Sequence, residues 1–354
     1  MAKRKKKSIL QLPILIKNSS ISAIIFLFAW VLFQLVGHFP TAASVRLPSS
    51  QNSFELYSNQ TQDNLTNLYV NSIDQAKTSI TLLIYALMDE NIIGALRKKT
   101  DEGVPVHIVC DGKASPGITK KIPKSICIRH MGEGLMHQKV LIIDQEQILI
   151  GSANLTYSSL NTHGNLIIGL NNPSLAQALI QRAEKMDEDG SPLPVMQLET
   201  NANEQLIEFW ALPNEKAAVN RVIKLLQTAQ KSIKVAMFTW TRIDFTNELI
   251  AASKRGVQVE AVLDRYSAKG AGAKVLNLLK QGKISVTLST GQGLLHHKFA
   301  YIDDSILING SANWTMAAFN KNFDNFMVIH SLTSDQQNKM NQLWKTIKSK
   351  SSKS

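Results

Sequence analysis

The chain has 354 residues, 44% of them hydrophobic and 19% charged; one compact core rarely holds that length, and the composition excludes a disordered, collagen-like or mainly transmembrane protein. Its two cysteines, Cys110 and Cys127, are too few for a disulfide framework or a four-cysteine zinc site. The formal charge of +12 sits in the tails: Lys3, Arg4, Lys5, Lys6, Lys7, Lys17, Lys345, Lys348, Lys350 and Lys353 account for ten basic residues, leaving 29 against 27 acidic ones for the body.

In chain order, a basic segment (1–17) precedes residues 18–37, which carry no charge and whose centre, 24–33, is apolar on every side. About 20 such residues span a hydrocarbon core of roughly 30 Å, whereas the apolar region of a cleaved signal has about 7–15. The segment therefore reads as an uncleaved transmembrane anchor, with the small residues Thr41-Ala42-Ala43 leaving a removed signal peptide as the alternative. Positive residues stay on the cytoplasmic side, which puts the body outside the membrane, tethered, or secreted if the segment is cleaved.

Beyond it the chain repeats itself. Ala76-Lys77-Thr78-Ser79-Ile80 aligns with Ala229-Gln230-Lys231-Ser232-Ile233; at the same offset of 153, Gly103 meets Gly256 and Asp111 meets Asp264. Gly132-Glu133-Gly134-Leu135-Met136-His137 aligns with Gly291-Gln292-Gly293-Leu294-Leu295-His296 at an offset of 159. In each copy a helix with apolar residues at helical spacing (Tyr69, Ile73, Ala76; Val222, Leu226, Ala229) leads into an apolar strand (80–85; 233–238), and a second helix stops at Gly103 or Gly256 before another strand. Alternating helices and buried strands predict an α/β fold of two similar sandwich domains related by a pseudo-twofold, 50–190 and 204–344. A charged, Gly/Pro-rich linker (191–203) joins them, and a basic tail (345–354) follows.

Each copy also carries the residues fit for chemistry. The first has His137-Gln138-Lys139, Asp144 and, six residues on, Gly151-Ser152-Ala153-Asn154; the second has His296-His297-Lys298, Asp303 and Gly310-Ser311-Ala312-Asn313 at equal spacing. The run after each lysine is strand-like, so His and Lys share a face. A histidine can attack as a nucleophile or transfer a proton near neutral pH, and an ammonium beside it can hold a phosphate. Two copies supply two histidines, one to attack phosphorus and one to protonate the leaving oxygen. Equal spacing of six positions in both copies is hard to obtain from packing alone.

These motifs resemble the paired His-x-Lys-x4-Asp, Gly-Ser-x-Asn signatures of the phospholipase D superfamily, from about residue 55 to 345, and the second copy is similar to its small nuclease-like and mitochondrial-type branch. The resemblance implies a phosphodiesterase that forms a covalent phosphohistidine at the interface of two such domains, with no metal or other cofactor. Carried over, it makes His137 and His296 nucleophile and general acid, His137 attacking, with Asp144 and Asp303 in support. Lys139, Lys298, Asn154, Asn313, Ser152 and Ser311 become the phosphate ligands. The family places an acidic residue beyond each motif to orient a histidine. Asp324-Asn325 fits in the second copy, but the first offers Gly164-Asn165, leaving either one unoriented histidine or compensation by another acid such as Glu133.

Zinc at His296, His297 and Asp303 is disfavoured because neighbouring strand residues face oppositely. His107, His130, His163 and His330 read as structural or exposed, Cys110 and Cys127 as a pair that export could oxidise, and Trp314 as cleft lining or helix packing. The core serves lipid hydrolysis, phosphatidyl transfer and nucleic-acid cleavage alike. The anchor and the nearly neutral body favour a phospholipid bilayer as partner over nucleic acid; a non-catalytic binder of anionic lipids would need no second histidine. Two motifs in one chain remove any need to dimerise for catalysis.

Overall fold

The computed structural model describes residues 54–186, 193–202 and 204–353. The segment read as a transmembrane anchor, 18–37, lies outside the described residues; among those described, no helix is long and apolar enough to cross a membrane.

The first half builds a seven-stranded sheet from β1 (Phe54–Tyr57), β2 (Ile80–Ile84), β3 (Val106–Asp111), β4 (Cys127–His130), β5 (Lys139–Ile143), β6 (Gln147–Gly151) and β7 (Ile167–Asn171), in the order β1-β7-β6-β5-β2-β3-β4. The second half repeats that order with β9 (Gln205–Ala211), β10 (Ser232–Met237), β11 (Gln258–Leu263), β12 (Ser285–Ser289), β13 (Lys298–Ile302), β14 (Ile306–Gly310) and β15 (Asn325–Ile329). The register repeats too: Ile80 pairs with Val106 and Ile233 with Val259, both parallel, while Ile84 faces Lys139 and Met237 faces Lys298 across antiparallel pairs.

Alternation along the strands sorts the side chains into layers. Ile80, Leu82 and Ile84 pack outward on the helices α1 (Leu65–Gln75) and α2 (Glu90–Asp101), and Val235 and Met237 pack on α5 (Glu215–Thr228) and α6 (Ile243–Lys254). Leu83, Val140 and Ile142 point the other way and meet Ala236, Phe299 and Tyr301 of the second sheet in one shared core. The order is helices, sheet, sheet, helices, and residues 45–354 form one compact unit. Here β2, buried at all five positions, is covered on both faces.

Two stretches outside the expected repeats are structured. Part of the segment read as a linker, 191–203, is β8 (Met196–Ala202), which pairs antiparallel with β9; its strict alternation of half-buried and exposed residues marks an edge strand with one face on the protein. The basic tail begins inside α10 (Ser334–Ser349) and ends as β16 (Ser351–Lys353), paired with β12. Between α2 and these, α3 (Tyr157–Asn161) and α4 (Pro173–Ala183) follow the first motif, and α7 (Arg265–Lys269), α8 (Ala273–Gln281) and α9 (Met316–Asn320) belong to the second half.

The halves exchange two symmetric strand contacts. Met136 bridges Phe323, and Gly164 bridges Leu295; Phe323 N–H donates to Leu135 O at 2.9 Å, and Gly164 N–H to Leu294 O at 2.9 Å. Two glycines permit the approach. A Cβ on Gly134 would lie 2.2 Å from Lys321 O, and one on Gly293 2.2 Å from Thr162 O, closer than any side chain tolerates.

Candidate active site

The parallel strands β2 and β3 end, and the antiparallel strand β5 begins, at one edge of the first sheet, and the second sheet repeats this. Each motif histidine sits just before its strand's first residue, the motif lysine. Lys139 is buried, donates from Nζ to His137 O at 2.5 Å and lies over the Tyr85 ring, 5.1 Å from its centroid. Lys298 does the same with His296 O at 2.7 Å and the Phe238 ring at 5.0 Å. The same two rings flank the imidazoles, with centroids 5.0 Å apart for Tyr85 and His137 and 4.9 Å for Phe238 and His296.

The orienting groups are crossed between halves. His137 Nδ1 lies 2.7 Å from Asp324 Oδ1, and His296 Nδ1 lies 3.0 Å from Asn165 Oδ1. Asn165 is the repeat counterpart of Asp324, so neither histidine lacks an acceptor, but only one of the two is a carboxylate. With both Nδ1 atoms engaged, Nε2 is the atom each ring has left for chemistry.

The buried Asp324 therefore faces His137 and both lysines, while two further buried carboxylates, Asp111 beside Lys139 and Asp264 beside Lys298, accept the backbone N–H groups of Met136 and Leu295. Burial opposes ionisation of Asp324, yet His137, Lys139 and the Ser311 hydroxyl outweigh it and hold the carboxyl below its usual range. Desolvation drives Lys139 down to about 7, with Asp324 and Asp111 opposing. Lys298 falls well below its ordinary value through desolvation and its neighbour Lys139, with Asp324 and Asp264 opposing. Burial lowers His137 against the pull of Asp324; it lowers His296 much further, reinforced by Lys298, Lys139 and His137. Both histidines thus sense the lysines of both halves. An anion bound beside the imidazoles would favour their protonated forms.

Several residues expected in the site lie elsewhere. Ser152 and Ser311 are fully buried behind it: their hydroxyls donate to Asn165 Oδ1 at 2.8 Å and Asp324 Oδ1 at 2.6 Å, fixing the orienting groups and leaving nothing for a phosphate. Asp144 and Asp303 stand past the far ends of β5 and β13. Asp144 accepts the backbone N–H groups of Lys77, Thr78 and Ser79, and Asp303 those of Gln230, Lys231 and Ser232; at about 3.3 Å per residue a five-residue strand keeps them roughly 16 Å from the lysines. Glu133 is exposed and paired with Lys321 at 2.9 Å, so it compensates for nothing. Asn325 is buried beside Asp324, and its side-chain amide has no hydrogen-bond partner among the described residues. Asn154 and Asn313 stay at the edge of the site, half-buried, with Asn313 Oδ1 accepting from Thr239 N–H at 3.3 Å.

His297 turns away to Gln60 Oε1 at 2.8 Å, and burial lowers it to about 3. Trp314 packs edge-on against Trp240, with ring centroids 4.6 Å apart, and lines no cleft. The site gains residues that were read only as structure: Tyr85 and Phe238, detectable because the 153-residue offset pairs two aromatics just past the apolar strands, and His163, whose ring centroid is 6.3 Å from that of His296.

The family model described as "Cardiolipin synthase, PLD-like domain" matches residues 69–186 and 222–344. A mitochondrial cardiolipin hydrolase of Xenopus laevis is 27% identical over 155 residues, covering 43% of this chain and 73% of that protein. A phospholipase D of Rickettsia typhi is 35% identical over 116 residues, covering 33% of this chain and 54% of that protein. The fold extends to a phosphatidylserine synthase of Haemophilus influenzae, with a TM-score of 0.67 at 13% identity over 87% of this chain and 89% of that one.

Proposed function

The chain belongs to the cardiolipin synthase, PLD-like domain family of the phospholipase D superfamily, and from that premise we propose that it hydrolyses phospholipid phosphodiesters through a phosphohistidine. The observation that carries this reading is the crossed pair, His137 on Asp324 and His296 on Asn165, in a buried site that also holds both motif lysines. The names of the two curated relatives, a cardiolipin hydrolase and a phospholipase D, support lipid as the substrate.

The lysines and the edge asparagines Asn154 and Asn313 hold the phosphate oxygens. His137 Nε2 attacks phosphorus, and the bond to the leaving oxygen breaks. The new phosphohistidine keeps its proton on Nδ1, where the ionised Asp324 carboxylate accepts it and stabilises the cationic ring. His296, which no carboxylate neutralises, takes up a proton when the anionic substrate arrives; because its own basicity is low, it gives that proton readily to the leaving alkoxide. Neutral His296 then removes a proton from water. The resulting hydroxide attacks phosphorus, His137 leaves, and the phosphate monoester departs.

The test pairs labelled phosphatidylcholine or cardiolipin with single- and double-stranded DNA and RNA, in EDTA. Phosphatidic acid release supports the reading, and fragmentation of nucleic acid in its place overturns the lipid assignment. His137→Ala abolishes turnover and covalent labelling alike. His296→Ala still accumulates phosphohistidine from a p-nitrophenyl diester, whose leaving group needs no acid; absence of that adduct overturns the assignment of roles.

A further inference from the structure

Of the eight large apolar side chains exposed among the described residues, six lie on loops or in the first turns of short helices at the histidine-bearing edges of the two sheets: Met88, Met131, Leu135, Tyr157, Tyr266 and Met316. Met88 follows β2, Met131 follows β4, Leu135 stands two residues before His137, Tyr266 is the second residue of α7 after β11, and Tyr157 and Met316 are repeat counterparts three residues past Asn154 and Asn313. Tyr157 is 74% exposed. Folding has no use for large apolar groups in water, and their gathering around one site marks an interaction surface.

The charges there are unequal. The exposed or half-buried carboxylates on the same loops and helix starts are paired: Glu90 with Lys121, Glu133 with Lys321 at 2.9 Å, and Asp244 and Glu215 both with Arg242, at 2.5 and 3.2 Å. Lys113, Arg265 and Lys269 have no ion pair among the described residues, so the surface presents net positive charge from a body that is nearly neutral.

We propose that this end of the molecule docks on an anionic phospholipid bilayer, the methionines and Leu135 entering the acyl boundary, the tyrosines standing at headgroup level and the three cations meeting lipid phosphates. The inference rests on the lipid reading of the site and deepens it, because a docked rim presents the histidines to headgroup diesters. A nucleic acid would call for aromatic or arginine planes to stack bases, and four of the six rim residues are aliphatic.

The test uses the full chain reconstituted into phosphatidylcholine vesicles with and without phosphatidylglycerol. A polarity-sensitive fluorophore on Tyr157→Cys is quenched by nitroxide-labelled lipid, more strongly on the anionic vesicles, whereas the same probe on Lys77→Cys, at the opposite end of β2, is not. Equal quenching at both positions, or none at 157, overturns the proposal. The combined variant Met131→Ser, Tyr157→Ser, Tyr266→Ser, Met316→Ser loses about tenfold or more of its vesicle hydrolysis while still cleaving bis(p-nitrophenyl) phosphate, and wild-type rates on vesicles overturn it. If wild type cleaves the soluble diester and no lipid, the substrate assignment fails, and the quenching contrast still decides the rim. Loss of single-stranded nucleic-acid cleavage in the combined variant, without quenching at 157, reassigns the surface to nucleic acid and overturns it as well.

Discussion

His137 and His296 occupy equivalent places in a duplicated chain, yet a single atom type separates their chemistry, since one Nδ1 meets a carboxylate and the other an amide. Asp324→Asn leaves the geometry and removes the charge, so kcat/KM on a soluble diester is expected to fall by about 10²–10⁴-fold. Asn165→Asp does the reverse: the added carboxylate raises His296, and the alkaline limb of the pH profile, which requires His296 protonated, moves to higher pH. Lys139 makes a stability prediction of opposite sign to its functional one. Its ammonium is buried and held at about 7 when folded, below its unfolded value of 10.5, so between those values the unfolded chain binds more protons and stability rises with pH. Its cost is complete below pH 7 and gone above pH 10.5. Lys139→Met should therefore abolish activity yet raise the unliganded Tm at pH 7 by a few degrees, about 2–4 °C per kcal/mol, with the gain vanishing toward pH 10.5.

Among the elements, the glycines before each histidine are demanded by the opposite half. Gly134 has φ of +77° and no room for a Cβ beside Lys321 O. Gly134→Ala should cost about 1–3 kcal/mol, read as a lower denaturation midpoint, and should reduce turnover, because it moves the strand that delivers His137. The motif aspartates behave otherwise. Asp144 anchors three backbone N–H groups of the loop ahead of β2 from a half-buried position. Asp144→Ala should lose about 1 kcal/mol of stability with kcat on a soluble diester unchanged. Those backbone N–H bonds, working against burial, hold its carboxyl below the ordinary 3.8, so the contribution is present above that pH and fades as the pH falls through the folded value. The repeat made these aspartates look like members of one catalytic set, since sequence spacing does not reveal that a five-residue strand carries them to the far side of the sheet. The alternation in Met196-Gln197-Leu198-Glu199-Thr200 was a legible strand signal, hidden by the Pro/Gly-rich stretch before it.

In the molecule as a whole, the two sheets share one core, and α10 of the second half closes over the first. Gln336 Nε2 donates to Phe54 O at 3.2 Å, Lys339 pairs with Asp63 at 2.7 Å, and Met340, Leu343 and Trp344 sit in the shared core with Phe54. Trp344→Ala should cost about 3–5 kcal/mol. Both halves should then lose structure in one transition, with far-UV circular dichroism and activity falling together; two separated transitions would show that the halves are energetically independent.

The sequence by itself determined the duplication, the α/β class, the leading helix–strand–helix–strand run of each half, and the histidines and lysines on one face, because hydrophobic periodicity and motif spacing are local quantities. Sequence alone set Gly164 against Asp324, one place before the true counterpart Asn165, and did not show which histidine Asn165 or Asp324 serves. Only the tertiary structure decided that the orienting groups cross between halves, that Ser152 and Ser311 hold them from behind, and that Tyr85 and Phe238 shelve the imidazoles. Contacts such as that of His137 with Asp324, 187 positions apart, are set by how two sheets pack face to face, and no local pattern along the chain encodes that.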